Sequence, residues 1–182
     1  MSMVLVVVAG ALAIAVAILY NGLVRARLRV KEAWGAVEVQ LQRRASLIPS
    51  LVEIVKGYAR HEKATLTRVV DARSALGAAA GPRAAAGANE HLSGALGRVL
   101  ALAEAYPDLK ADEQFARLQA DLADTENKVA YARNYYNGAV EIYNTRAQTM
   151  PGMLIAGLFR FAPSEFFMAD TSAREPVSAA LN

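Results

Sequence analysis

Apolar side chains return along most of this chain at the spacing of a helix face. Val30, Trp34, Val37 and Leu41 step by 4, 3 and 4 residues, which places them on one side of a helix that turns every ~3.6 residues. Ile48, Val52, Val55, Ala59, Leu66 and Val69 form a second stripe, and Leu92, Ala95, Leu96, Val99, Ala103 and Tyr106 a third. The longest comprises Phe115, Leu118, Leu122, Val129, Ala132, Tyr136, Ala139 and Tyr143, with Thr125 as its one polar member. No segment sustains the period-two alternation of a half-buried strand. The pattern predicts an all-α fold whose body has helices over about 25–45, 47–76, 89–105 and 110–148. The small-residue stretch Gly77–Glu90 reads as a loop and Tyr106–Asp108 as a second turn. Asn89 is placed to cap the third helix.

The boundary between the first two helices rests on the stretch Val39–Glu62, VQLQRRASLIPSLVEIVKGYARHE. Proline inside a helix costs ~3 kcal/mol, but in a first turn its missing N–H has no intrahelical partner to lose. Ser46, three residues before Pro49, is a good N-cap residue. The expected solution ends one helix near Arg44 and begins the next near Leu47. The heptad phase continues through the interruption, so one kinked helix is the alternative.

Ahead of the first stripe, Val4–Val24 holds no charged residue. At 1.5 Å per residue it spans roughly 31 Å, close to the ~30 Å hydrocarbon core of a bilayer. No basic residue precedes it, which favours a retained transmembrane helix over a cleaved secretory signal. Arg25, Arg27, Arg29 and Lys31 follow at once. The positive-inside rule then puts the N-terminus outside and residues 25 onward in the cytoplasm. These four side chains set the topology and are candidates to meet anionic headgroups at the membrane surface. An antiparallel bundle of four helices returns the chain to the bilayer at the end of the fourth. The segment there, Met150–Met168, carries only Arg160 and Glu165 as charges. Its Leu154, Leu158, Phe159, Phe161, Phe166 and Phe167 are candidates for an interfacial tail, packed on the anchor or on lipid. The other reading, and the preferred one, is a cap over the open end of the bundle core. The resulting organisation is an anchor over residues 1–24, a cytoplasmic bundle over 25–148, an apolar tail over 149–169 and a disordered tail over 170–182.

Composition narrows the chemistry. Hydrophobic residues make up 54%, and cysteine is absent, which excludes disulfides, thiolate zinc sites and a cysteine nucleophile. A net charge of +3 is too small to argue for nucleic acid as a partner. A carboxylate-bridged metal site in a bundle needs Glu-x-x-His pairs, yet Tyr58 and Ala88 stand three residues before the only histidines, His61 and His91. Neither a phosphate-binding glycine loop nor a Gly-x-Ser-x-Gly elbow is present. No catalytic residue, cofactor or metal is therefore expected. One polar pattern stands out: Asn127, Asn134, Asn137, Glu141 and Asn144 line one side of the last helix beside its apolar face. Asparagine is a poor helix former, so these side chains are either a solvated face or contacts. The pairing expected for them is with Gln40, Arg43 or Arg44, notably Arg44 with Asn134. Together with Trp34, they are the candidate bundle or subunit contacts.

Several of these stretches, taken together, resemble the LemA family of bacterial membrane-anchored proteins. They are YNGLV (Tyr20–Val24), Trp34, VQLQRR (Val39–Arg44), LIPSLV (Leu47–Val52), VKGYARHE (Val55–Glu62), the long run Leu109–Asn137, Tyr143-Asn144, LFRF (Leu158–Phe161) and Phe166-Phe167. The departures are mild: Gln42 stands where a basic residue is usual, Ser50 where asparagine is frequent, and Met150 where an aromatic often precedes the proline. The resemblance implies a short external N-terminus, one span and a cytoplasmic antiparallel four-helix bundle. It implies no assigned active site. It associates the family with the bacterial envelope and with membrane proteases, and one relative with magnetosome formation. The expected function is a non-enzymatic scaffold or adaptor of the cytoplasmic membrane, self-associating as a homo-oligomer. Gly10, Ala11, Ala13, Ala15 and Ala17 allow close helix approach in the span. Membrane remodelling is the alternative, followed by a hydrolase with an unrecognised site.

Overall fold

A computed structural model describes residues 1–168. It is all-helical, and among the described residues there is no strand. The elements are α1 (Ser2–Tyr58), α2 (Lys63–Ala78), α3 (Pro82–Ala103), α4 (Pro107–Lys110), α5 (Glu113–Gln148) and α6 (Gly152–Leu158). They form two compact units. One combines Met1–Val39 with Ala130–Phe166, and the other consists of Gln40–Val129 with the described residues after Phe166.

In the first unit, the N-terminal part of α1 is an isolated apolar rod. Residues 1–15 are exposed throughout, and the helix is long and apolar enough here to cross a membrane. Further along, Leu23, Ala26, Val30, Ala33 and Val37 are buried, as are Ala132, Tyr136, Ala139, Val140 and Tyr143 of α5. The Trp34 and Tyr136 rings meet edge to face with centroids 5.4 Å apart.

In the second unit, the apolar stripes predicted from spacing form the core. Ile48, Val52, Val55, Ala59, Leu66, Val69, Leu92, Leu96, Val99, Phe115, Leu118 and Leu122 are all buried, and α2 packs against α3. Thr125 is fully buried too; its hydroxyl donates to the Leu122 carbonyl at 2.8 Å, which removes the cost of an unpaired polar group. The Phe115 backbone N–H donates to Asp112 Oδ1 at 2.8 Å, so Asp112 caps the start of α5. Tyr58 at the end of α1 donates to the other carboxylate oxygen at 2.8 Å.

Two expected boundaries are corrected. The helix does not stop near Arg44 and restart near Leu47: α1 continues through Pro49 to Tyr58. Pro49 lacks the N–H that would bond the Ala45 carbonyl, and Arg73 Nε of α2 donates to that carbonyl instead, at 3.0 Å. Ser46 is not an N-cap; its hydroxyl donates back to Arg43 O at 2.7 Å within the helix. The break falls later, over 59–62, so the expected 47–76 helix is divided between α1 and α2.

Nor is Gly77–Glu90 a loop. Its first residues end α2, and α3 has begun by Pro82. Alanine is the best helix former, and the real break needs only Gly81, at φ +85, before a proline in the first turn. Asn89 consequently lies inside α3 rather than at its N-cap. The expectation for residues 170–182 lies outside the described residues.

Candidate functional site: a buried arginine and a docked C-terminal segment

The continuing heptad phase of α1 places Arg44 between Leu41 and Ile48 on the buried face, and its exposure is 1%. Arg44 Nη1 donates to Asn89 Oδ1 of α3 at 2.8 Å, and Nη2 donates to Glu126 Oε2 of α5 at 3.0 Å. One guanidinium thus joins three helices of the second unit. Burial pushes its pKa down from the ordinary arginine value, and Glu126 opposes that shift. Arg44 Nε and Gln40 Oε1, four residues apart on α1, are buried without a hydrogen-bond partner among the described residues. Arg43, on the exposed side, pairs with Asp124 at 3.4 Å, and Asp124 also accepts from Lys128 at 2.8 Å.

The expected Arg44–Asn134 pairing is therefore replaced by Asn89 and Glu126. Asn127 and Asn134 are exposed, and Asn137 is half-buried. Asn144 has a definite task in the first unit. Its Oδ1 accepts from the Ser164 backbone N–H at 2.8 Å, and its Nδ2 donates to the Ser164 carbonyl at 2.9 Å. Nearby, Tyr143 donates to Ala162 O at 2.7 Å and Tyr136 to Glu165 O at 2.7 Å. Burial raises the Tyr136 hydroxyl to about 12, with the Glu165 charge adding to the effect. Burial also raises Tyr143, against the pull of Arg27. The tyrosines and the last asparagine of α5 are a clasp for residues 162–165.

That clasp follows α6, which is docked on α1. Ile155 and Ala156 are buried with Leu23 and Ala147, and Val16, Leu19 and Phe161 pack against this cluster. Tyr20 meets Phe159 and Phe161 edge to face, at centroid distances of 4.9 and 5.7 Å. Of the tail candidates, Leu154, Leu158, Phe159 and Phe166 are exposed, Phe161 is half-buried and Phe167 is buried. Arg25, Arg27, Arg29 and Lys31 are exposed, and none forms a salt bridge among the described residues.

The sequence model of the LemA family matches residues 33–180. The chain belongs to the LemA family. The match takes in the Arg44 cluster, the clasp and α6; the apolar stretch Val4–Val24 and the basic run Arg25–Lys31 precede it. Among curated proteins, this LemA-family chain is similar to magnetosome proteins MamQ 1 and MamQ 2 of Paramagnetospirillum magneticum, each 25% identical. It is also similar to magnetosome protein MamQ of Magnetospirillum gryphiswaldense, at 24%. Each alignment covers 77% of this chain and 61% of the relative; the chain spans about three fifths of the length of these relatives.

Among the described residues, no three His, Asp or Glu side chains gather as a ligand set. An open cleft of about 550 Å3 in the second unit is lined by Val52, Lys56, Arg60, Lys63, Leu66, Thr67 and Val70, a lining with cations and no carboxylate. His61 is exposed.

Proposed function

We propose that this LemA-family protein is a non-enzymatic scaffold or adaptor of the bacterial cytoplasmic membrane. Its N-terminus is outside, and the body forms an antiparallel four-helix bundle in the cytoplasm. The observation that carries the reading is the continuity of α1: the exposed apolar rod and the helix that enters the packed body are one element, Ser2–Tyr58. An apolar rod without a protein partner is stable in acyl chains and costly in water. The basic run after Val24 supports the orientation and a contact with anionic headgroups. The magnetosome names of its relatives support a structural rather than a catalytic role. Self-association proceeds through the small residues of the span and the exposed asparagines of α5, and the partners are envelope proteins, membrane proteases among them.

Crosslinking tests the assembly. Single cysteines at Ala13 and at Asn134, placed in a chain that has none, should each give disulfide-linked dimers in native membranes. A chain that stays monomeric at both sites, and after mild extraction, contradicts self-association. Membrane remodelling is the second reading, favoured by the exposed apolar side chains of α6 beside the span. Liposomes that keep their shape at high protein coverage count against it.

A further inference from the structure

Among the described residues, none packs against the outer side of α6. Ile155 and Ala156 turn inward and are buried, whereas Met150 is 64% exposed, Leu154 59% and Leu158 73%. Met153 and Phe159 are exposed as well. No charge interrupts this row until Arg160. The residues of α1 on which α6 sits are Val16, Leu19 and Leu23, and all three belong to the uncharged stretch Val4–Val24. At 1.5 Å per residue, contacts from Leu23 back to Val16 cover roughly 10 Å of the rod. That matches the ~5–10 Å to which interfacial helices bury their apolar faces.

We infer that α6 is inserted in the bilayer: residues 150–159 lie in the leaflet that holds residues 16–23, with Met150, Met153, Leu154 and Leu158 against acyl chains. The inference rests on the reading of Val4–Val24 as a span. Lipid is the occupant because the row lies beside the uncharged stretch that forms that span. Arg25 follows the span, and Arg160 follows α6 at the point where the chain turns back.

The turn itself is held by local geometry. Arg160 has φ +56, a left-handed conformation more usual for glycine, and the Phe161 N–H closes the helix end on Ala156 O at 2.9 Å. A basic side chain there can extend to the headgroups while its stem stays in contact with apolar surface. At the other end, Gly152 is needed because a Cβ would collide with the Arg146 carbonyl. This close approach lets the chain fold straight from α5 into α6 and down along the anchor. The chain would then hold the bilayer at two points, a crossing helix and a half-leaflet wedge.

The test uses the full-length chain in vesicles of mixed zwitterionic and anionic phospholipid, with one fluorophore-labelled cysteine per variant. Labels at Leu154→Cys and Leu158→Cys should be quenched by lipids brominated near the headgroup, with aqueous iodide quenching several-fold weaker than at Gln119→Cys, an exposed α5 position. A label at Ala11→Cys should be quenched by deeply brominated lipid. Iodide-accessible Leu154 and Leu158 labels with Ala11 still lipid-quenched would overturn the insertion and leave the anchor intact. Loss of lipid quenching at all three sites would overturn both. Leu154 and Leu158 labels shielded from iodide but untouched by brominated lipid would assign the face to a second copy and reject lipid as its occupant.

Discussion

Arg44 occupies a position of α1 whose phase calls for an aliphatic side chain. It is fully buried, while its counter-ion Glu126 is 59% exposed. The two ends of the pair should therefore respond differently to mutation. Glu126→Ala leaves a buried cation with only Asn89, a situation that costs on the order of 3 kcal/mol. Arg44→Met removes the charge and keeps most of the volume, and the freed Glu126 is already hydrated, so the loss should stay within about 1 kcal/mol. Urea unfolding of the chain in detergent ranks them; a Met variant weaker than the Glu126 variant would contradict this account. The burial of Arg44 was legible in the heptad phase running from Val37 through Leu41 to Ile48. Its partners were not, because Asn89 is 45 residues away and Glu126 82, and spacing within one helix says nothing about either.

Tyr136 gives the same scale a pH signature. The folded hydroxyl keeps its proton to about 12, while an unfolded tyrosine loses it near ~10. The folded pKa is raised, so the contribution is complete below ~10 and declines as pH rises from there to about 12. Tyr136→Phe should flatten the alkaline limb of the stability profile over that window. An unchanged limb would show that another group carries it.

Among the elements, α1 shows why a local rule fails. Proline normally ends a helix, yet α1 runs through Pro49, and Arg73 supplies a donor to the Ala45 O that proline leaves without one. Arg73→Ala should cost about 1 kcal/mol, the net worth of one hydrogen bond, in the natural sequence. In a Pro49→Ala background, the backbone N–H of residue 49 can take over, and the cost should fall toward zero. Equal costs in both backgrounds would show that Arg73 acts elsewhere.

The stripes themselves were legible: their aliphatic members are buried, as the 3.6-residue period requires. The connections were not. Gly77–Glu90 reads as a loop in the sequence because small residues suit both loops and helices, whereas only Gly81-Pro82 carries a true break. The break over 59–62 has no proline and follows Gly57 alone, so no local punctuation marks it in the sequence. At the last turn, Gly152→Ala should displace α6, since the new methyl meets backbone rather than a movable side chain. Tryptic cleavage at Arg160 should then accelerate; an unchanged rate would mean that α6 stays docked.

For the molecule as a whole, the apolar rod was the clearest feature of the sequence, because twenty or so residues without a charge have few stable environments. The place of the tail was legible only as a pair of options. Ile155 and Ala156 pack with Leu23 of α1 and Ala147 of α5, which both options allow, and Asn144, expected among the helix contacts, clasps Ser164.

The central claim is that Val4–Val24 crosses the membrane and the body stays inside. Single cysteines at Ser2 and Gln119, treated with a membrane-impermeant maleimide in spheroplasts, test it most directly. The account predicts labelling of Ser2→Cys in intact spheroplasts and of Gln119→Cys only after lysis. Labelling of Gln119→Cys before lysis, or recovery of the chain in the aqueous fraction after alkaline carbonate, would contradict it.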